Sequence, residues 1–89
     1  MVYKTAVIKS TNGLHARNAA QICMYTRELH GTEIKIRDPK TDEEADAKSV
    51  LSLLLLEKLK GTEVVVEASC EKENEAVSEI AAILSNFDI

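Results

Sequence analysis

The residues best suited to chemistry in this sequence lie near its start, at positions 12–17, which read NGLHAR. Gly13 permits a backbone angle that other residues avoid, just before a predicted helix. His15 then falls at or beside the N-cap of that helix, and Arg17 lies in its first turn. Helix N-termini present unpaired N–H groups and a partial positive charge, so this position suits an anion such as phosphate.

A histidine and an arginine at such a helix start are the parts needed to receive and release a phosphoryl group. A neutral imidazole keeps one nitrogen lone pair free, which makes His15 a candidate nucleophile near neutral pH. Arg17 adds a forked cation that can hold phosphate oxygens. A single histidine beside a helix start is more often an exposed or capping residue, so the residue types alone leave both interpretations open.

Hydrophobic periodicity predicts the elements that must position this run. The predicted strands are residues 2–9 and 34–37, a short edge strand before Ala47, and residues 64–68, and the predicted helices are residues 16–29, 49–59 and 72–85. The order β-α-β-β-α-β-α argues for an α+β fold in which helices lie on one face of a four-stranded antiparallel sheet.

The composition indicates one globular domain over residues 1–89. Hydrophobic residues make up 45% of the chain and aromatic residues only 3%, so the core must be aliphatic. The formal net charge is −4, the opposite of what a nucleic-acid binder needs, so nucleic acid is not an expected partner. We expect a monomer.

The sequence also predicts a cytoplasmic protein without a metal or a cofactor. It starts in alternating sequence with no charged-then-apolar leader, and its longest apolar run, residues 53–56, is far shorter than the ~20 residues that span a bilayer. Membrane insertion is therefore not expected. Cys23 and Cys70 are expected to be reduced thiols, and they form no zinc-ligand spacing with the two histidines.

The run from Gly13 to Arg17 resembles the phosphohistidine motif of HPr, the histidine-containing phosphocarrier of the bacterial phosphoenolpyruvate:sugar phosphotransferase system. The family pattern is Gly-(Ile/Leu)-His-(Ala/Thr)-Arg-Pro-Ala. Residues 47–51, AKSVL, are similar to the segment that opens the second helix of the family, and residues 60–64, KGTEV, to the start of its last strand. The three blocks are in register along nearly the whole chain.

This resemblance implies an open-faced β-sandwich with strand order 1-4-2-3, and a phosphocarrier rather than an enzyme in its own right. It implies that enzyme I, using phosphoenolpyruvate, phosphorylates His15 at Nδ1, and that His15 donates the group to a sugar-specific enzyme IIA. Arg17 would stabilise the transferred group. The backbone N–H groups of Ala16 and Arg17 would bind its oxygens.

By analogy with HPr, the first two helices are expected to form the docking surface for these partners. An apolar patch around a reactive histidine suits a transient interface. In the second helix we expect Leu53 and Leu56 to face the core instead. The expected docking residues, beside Ala16 on the same stripe, are Ala20, Met24 and Arg27 of the first helix and Val50, Leu51, Leu54 and Leu55 of the second.

Ser49 is predicted to cap the second helix. In HPr proteins of Gram-positive type the matching serine is phosphorylated by an ATP-dependent kinase. The resemblance therefore makes Ser49 a candidate regulatory site and HPr kinase/phosphorylase a further candidate partner. A dianionic phosphate is tolerated at a helix start, yet it would repel an acidic partner surface.

The sequence departs from the family pattern at three places. Asn18 stands where the motif has proline, which either changes how phosphate is held or lets the first helical turn fray. Met24 is uncharged where HPr proteins frequently carry a basic or polar residue, and residues 38–46 are longer than usual and acidic. Each change is consistent with a partner other than the usual sugar enzymes.

Two other functions stay open at this point. An HPr-like regulatory module would act through Ser49 or through docking, without phosphotransfer. Asn18 favours that alternative, whereas His15 together with Arg17 favours the phosphocarrier. An α/β domain of the ferredoxin-like kind that binds a small ligand has a similar element order, but it leaves residues 13–17 unexplained.

Overall fold

The computed structural model describes residues 1–9, 13–29, 33–56, 59–69 and 72–85, and these contain one sheet of four antiparallel strands. The strands are β1 (Val2–Val7), β2 (Glu33–Arg37), β3 (Glu44–Asp46) and β4 (Glu63–Ser69). Their spatial order is β1-β4-β2-β3, which confirms the order 1-4-2-3 implied by the family resemblance. The last strand of the chain therefore lies inside the sheet, between β1 and β2.

Helices α1 (Ala16–Thr26), α2 (Val50–Leu56) and α3 (Glu73–Ser85) cover one face of this sheet. α3 packs against β1 and β4, α2 packs against β3, and α1 packs against both other helices. Strand residues alternate accordingly, so that Val64 and Val66 of β4 are buried while Val65 and Glu67 are partly exposed. The predicted α+β class, the element order and the open-faced β-sandwich are confirmed.

Apolar residues at helical spacing form the helical side of the core. In α2, Leu53 and Leu56 are buried, whereas Leu51 and Leu55 are 67% and 69% exposed, and Leu54 is half-buried. None of the described helices combines the length and the apolar character that a membrane span needs. Buried residues at helical spacing also line the other two helices, namely Ala19, Ile22, Cys23 and Thr26 of α1 and Val77, Ile80, Ala81 and Leu84 of α3.

Helix α1 ends at Thr26, three residues before the predicted end of the helix at residues 16–29. A tighter turn follows, in which Leu29 N–H donates to the carbonyl of Thr26, three residues back, over 3.0 Å. Lys48 Nζ then donates to Leu29 O over 2.8 Å. The cation thus lies just beyond the C-terminal end of α1, where a positive charge is favourable.

Strand β1 also ends early, at Val7 rather than at residue 9. Ile8 N–H still donates across to Thr62 O over 3.0 Å, but Lys9 N–H donates to Leu84 O of α3 over 3.1 Å. The chain therefore leaves the sheet towards the helices before it reaches α1. The predicted helix at residues 49–59 is α2, with residues 57 and 58 outside the described part.

The C-terminal half of α1 is bonded to the segment that leads into α2. Thr26 is fully buried, and its Oγ1 donates to Ala47 O over 3.0 Å. Cys23 Sγ lies 3.6 Å from the same carbonyl oxygen. A buried hydroxyl that reaches a partner in another element fixes the two segments relative to each other, because leaving it unpaired is costly.

Cys23 is a free and buried thiol, and Cys70 lies outside the described residues. Burial is the main cause that raises the pKa of the Cys23 thiol, and the negative charge of Asp46 adds to it, while Arg27 opposes the shift. The thiol therefore stays protonated and poorly reactive near neutral pH. It acts as a core residue, as its spacing in α1 predicts.

Paired charges lie on the uncovered face of the sheet. Arg37 Nε donates to Glu67 Oε1 on the neighbouring strand over 2.8 Å, and Lys35 Nζ donates to Glu44 Oε1 over 3.4 Å. These hydrogen bonds are the largest cause that raises the pKa of each cation. Both cations therefore stay charged across the physiological range of pH.

The two faces of α2 predict opposite effects of truncating a leucine. Leu53→Ala is expected to lower the free energy of unfolding by about 2–5 kcal/mol, because it leaves a cavity in the core. The matched change Leu55→Ala, at an exposed position of the same helix, is expected to alter it by less than about 0.5 kcal/mol. Urea unfolding followed by circular dichroism measures both, and equal losses would contradict this orientation of α2.

Candidate functional site

The site begins with a turn at Gly13 and Leu14, immediately before α1. Gly13 has φ +71°, in the left-handed region that favours glycine. Leu14 is buried against the core with only 5% of its surface exposed. The left-handed conformation of Gly13 and the burial of Leu14 place His15 at the start of α1, as the sequence predicts.

His15 is the N-cap of α1. Its backbone is extended, with φ −126° and ψ −178°, and its side chain accepts hydrogen bonds from the first N–H groups of the helix. Nδ1 lies 3.2 Å from the backbone nitrogen of Arg17 and accepts its N–H. A nitrogen that accepts carries a lone pair, so in the neutral ring the proton is on Nε2. The half-buried ring therefore has its nucleophilic lone pair on Nδ1.

Asn18 closes this turn from the other side. Its Oδ1 accepts the backbone N–H of His15 over 2.8 Å, and its Nδ2 donates to Gly13 O over 2.9 Å. The His15 side chain in turn accepts from the backbone N–H of Asn18, which completes a reciprocal capping box. Asn18 is buried, with 5% of its surface exposed. The asparagine therefore holds the first turn of α1 by hydrogen bonds to both His15 and Gly13.

Asn18 is a residue of the site that comparison with the proline of the family motif does not reveal. The signal was present in the spacing. A polar side chain three residues after an N-cap is the pattern of a capping box. The spacing alone did not show that a histidine, rather than a serine or threonine, would be the capping residue.

The charges around this helix start favour an anion. The first turn of α1 contains no acidic residue. The Arg17 side chain is exposed, and it is not among the basic groups that form ion pairs within the described part of the chain. A cation without a carboxylate partner, next to N–H groups and the positive end of a helix dipole, is suited to bind a phosphoryl group.

The predicted docking residues lie on adjacent helices and are accessible. α1 and α2 pack against each other. Met24 is 67% exposed, and Val50 is 39% exposed, while Leu54 is half-buried. The stripe of α1 that contains Ala16, Ala20, Met24 and Arg27 is exposed along its whole length, and Leu51 and Leu55 of α2 are exposed as well.

Ser49 caps α2, as predicted. Its Oγ accepts the backbone N–H of Ser52 over 3.2 Å, which is the geometry of an N-cap serine. Its carbonyl accepts the N–H of Leu53 over 3.1 Å, the first bond of the helix. The residue is half-buried. Asp46 lies just before it and accepts the backbone N–H of Lys48 over 2.9 Å.

Across the described residues, no group of three or more His, Cys, Asp or Glu side chains is arranged to hold a metal ion. His30 and Cys70 lie outside those residues. The chemistry that the described site offers is therefore that of one imidazole nitrogen, one guanidinium and the N–H groups of a helix start.

Comparison with known proteins identifies the family. The sequence pattern described as "PTS HPr component phosphorylation site" matches residues 2–86 of this chain. The chain therefore belongs to the HPr family of phosphocarriers of the phosphotransferase system, as the resemblance of its motifs predicted. Members of this family carry a phosphoryl group in a relay and are not enzymes in themselves. The ferredoxin-like alternative is wrong.

The individual relatives agree with this assignment. The chain is 34% identical over 88 residues to phosphocarrier protein NPr of Escherichia coli, covering 98% of this chain and 96% of that protein. It is 36% identical over 88 residues to phosphocarrier protein HPr of Borreliella burgdorferi, covering 98% of each chain. The crystal structure of HPr-C-His from Thermoanaerobacter tengcongensis matches with a TM-score of 0.82 at 26% identity, over 94% of this chain and 91% of that one. The HPr of Bacillus anthracis matches with a TM-score of 0.82 at 25% identity, over 93% and 95%.

Proposed function

We propose that this chain accepts a phosphoryl group on His15 from phosphorylated enzyme I and donates it to an enzyme IIA in sugar uptake. The observation that carries the proposal is that Nδ1 of His15, the N-cap of α1, accepts the backbone N–H of Arg17. Family membership supports the role of phosphocarrier. We propose further that the protein works in the cytoplasm as a monomeric single domain.

Transfer to this chain begins when Nδ1 of His15 releases the N–H of Arg17. The Nδ1 lone pair attacks the phosphorus atom of the phosphohistidine in enzyme I, and the new N–P bond forms as the N–P bond of the donor breaks. The electron pair of the broken bond returns to the donor imidazole. No proton has to leave His15, because Nδ1 carries none in the neutral ring and Nε2 keeps its own.

The group in transit is held by Arg17 and by the helix start. In the resting state the N–H of Arg17 donates to Nδ1. Once that lone pair is used in the N–P bond, the backbone N–H groups of Ala16 and Arg17 become donors for the phosphoryl oxygens. The exposed guanidinium of Arg17 adds a forked pair of charged donors.

Docking of the two partners uses the surface formed by α1 and α2. Both partners would approach the same histidine, so they would bind in turn rather than together. The exposed Leu51 and Leu55 of α2, with Met24 of α1, form the apolar part of this surface. Arg27 lies at the far end of the α1 stripe and is exposed. An apolar surface of this kind suits partners that must dissociate after each transfer.

The phosphotransfer proposal predicts a labile label on one residue. Mixed with enzyme I of the same organism, magnesium and phosphoenolpyruvate, the protein is expected to gain one acid-labile phosphoryl group by intact-mass analysis. His15→Asn is expected to gain none, since asparagine still caps the helix but offers no nucleophile. Arg17→Ala is expected to slow the transfer roughly tenfold, because a charge-assisted hydrogen bond is worth ~1.5 kcal/mol. An unlabelled wild-type protein would contradict the proposal.

The docking proposal predicts a change in affinity rather than in chemistry. Leu51→Ala is expected to raise the concentration of this protein that half-saturates enzyme I by roughly tenfold, since truncating an interface anchor costs more than ~1 kcal/mol. The maximal rate is expected to stay unchanged. Tyr3→Ala is the control, because Tyr3 is 62% exposed and lies on the uncovered face of the sheet. An equal effect of the two changes would count against a docking surface on α2.

Ser49 is the basis of a second candidate function, regulation by HPr kinase/phosphorylase. It is supported by the partial exposure of Ser49 and by its place at the start of α2, beside the docking surface. A phosphate there would bring two negative charges to the surface that meets enzyme I. Asp46, which lies close by, is already negative, so the added phosphate would make this part of the surface strongly acidic.

The regulatory proposal predicts that charge, and not the loss of the cap, slows phosphotransfer. Ser49→Asp and Ser49→Asn both keep the N-cap, because Asp and Asn are equally good caps. Only Ser49→Asp is expected to weaken binding to enzyme I, by roughly fivefold, as one unfavourable surface charge is worth up to ~1 kcal/mol. Steady-state kinetics of labelling measures both. If the two variants behave alike, Ser49 acts only as a structural cap.

A further inference from the structure

We propose that Asn18 is a positioning residue for phosphoryl transfer at His15, a role that rests on the function proposed above. The family motif has proline at this place, which offers neither an N–H group nor a polar side chain. Asn18 offers both, and both are engaged with His15. The asparagine therefore does more than replace proline as the third residue of the helix.

The side chain of Asn18 fixes the backbone on which the nucleophile stands. Its carboxamide spans from the N–H of His15 to the carbonyl of Gly13, with distances of 2.8 Å and 2.9 Å. These two bonds hold both ends of the turn between Gly13 and α1, and the carboxamide is buried while it does so. The imidazole on this backbone is oriented in turn by the N–H groups of Arg17 and Asn18, which donate to it.

The backbone N–H of Asn18 has a second effect, on the phosphoryl group itself. In the resting state it donates to the His15 side chain, as the N–H of Arg17 does. When Nδ1 forms its bond to phosphorus, both N–H groups lose their acceptor and lie next to the phosphoryl oxygens. With proline at this position, only the N–H of Arg17 would remain as a donor. The phosphorylated form of this chain therefore has one additional N–H for its dianion.

The choice of an amide is consistent with this role. A capping box usually has Glu or Gln at the third helical position. A carboxylate there would accept the His15 N–H equally well, but its charge would repel the incoming phosphoryl group. The neutral carboxamide of Asn18 combines an acceptor for His15 with a donor for Gly13. It holds the turn without adding negative charge to the site.

The two effects are separated by two variants. Asn18→Ala keeps the N–H and loses both side-chain hydrogen bonds, so we expect its maximal rate of labelling by phosphorylated enzyme I to fall by about fivefold to thirtyfold, the value of one to two neutral hydrogen bonds. Asn18→Pro also loses the N–H. The equilibrium constant for phosphoryl transfer from enzyme I to this variant is expected to fall about tenfold, the value of one charge-assisted hydrogen bond. Asn18→Ala is expected to leave that equilibrium within about twofold of the wild type.

Two controls separate positioning from the general loss of an asparagine and from docking. Asn74→Ala, an exposed asparagine of α3, is expected to change neither quantity. The concentration that half-saturates enzyme I is expected to stay constant in all variants, because Asn18 is buried and does not reach the docking surface. A variant that raises this concentration at an unchanged maximal rate would show a docking effect and overturn the proposal.

Amide hydrogen exchange provides a readout that needs no phosphate. The N–H of His15 is expected to exchange slowly in the wild type and quickly in Asn18→Ala, since only the wild type has its acceptor. If the wild type is labelled and the Asn18 variants match it in rate, equilibrium and exchange, this inference is overturned. The phosphocarrier proposal then stays intact. Absence of labelling in the wild type would overturn both proposals.

Discussion

The position of β4 between β1 and β2 is the constraint on which the other elements depend. The last strand of the chain pairs with the first along Val2–Val7 and with β2 along Glu33–Arg37. β1 and β2 are therefore not neighbours, and the segment that joins them must cross a strand that is made much later. That segment contains α1, so the site is part of a crossover and not of a hairpin. The sheet becomes complete only when the C-terminal third of the chain has been added, which is a topology of non-local contacts.

Much of this arrangement could be predicted because it depends on which side chains leave water. Alternation in β4 and helical spacing in α1 and α3 identify the buried face of each element directly. Gly13, Leu14 and His15 could be placed for a similar reason, since a flexible residue, an apolar anchor and a cap have local meanings. The strand order could not be derived from pattern, because pairing partners depend on long-range geometry. It came from the family resemblance.

The parts that could not be predicted depend on where polar side chains point. Asn18 stands at a position where the family has proline, and comparison with proline suggested a looser turn. The observed carboxamide points back towards Gly13 and His15 and tightens it. The end of α1 is a similar case, because a contact from Lys48, far along the chain, reaches Leu29 just beyond it. Hydropathy is insensitive to such directions, since it records what a residue is and not what it reaches.

The ion pairs on the uncovered face of the sheet also affect how copies of the protein associate at high concentration. Arg37 with Glu67, and Lys35 with Glu44, present alternating signs across three neighbouring strands. A second sheet stacked on this face would have to dehydrate both ion pairs, which costs more than the apolar contacts of a few exposed residues return. The bare side of the sandwich thereby resists sheet-on-sheet aggregation, and encounters are directed to the helical side.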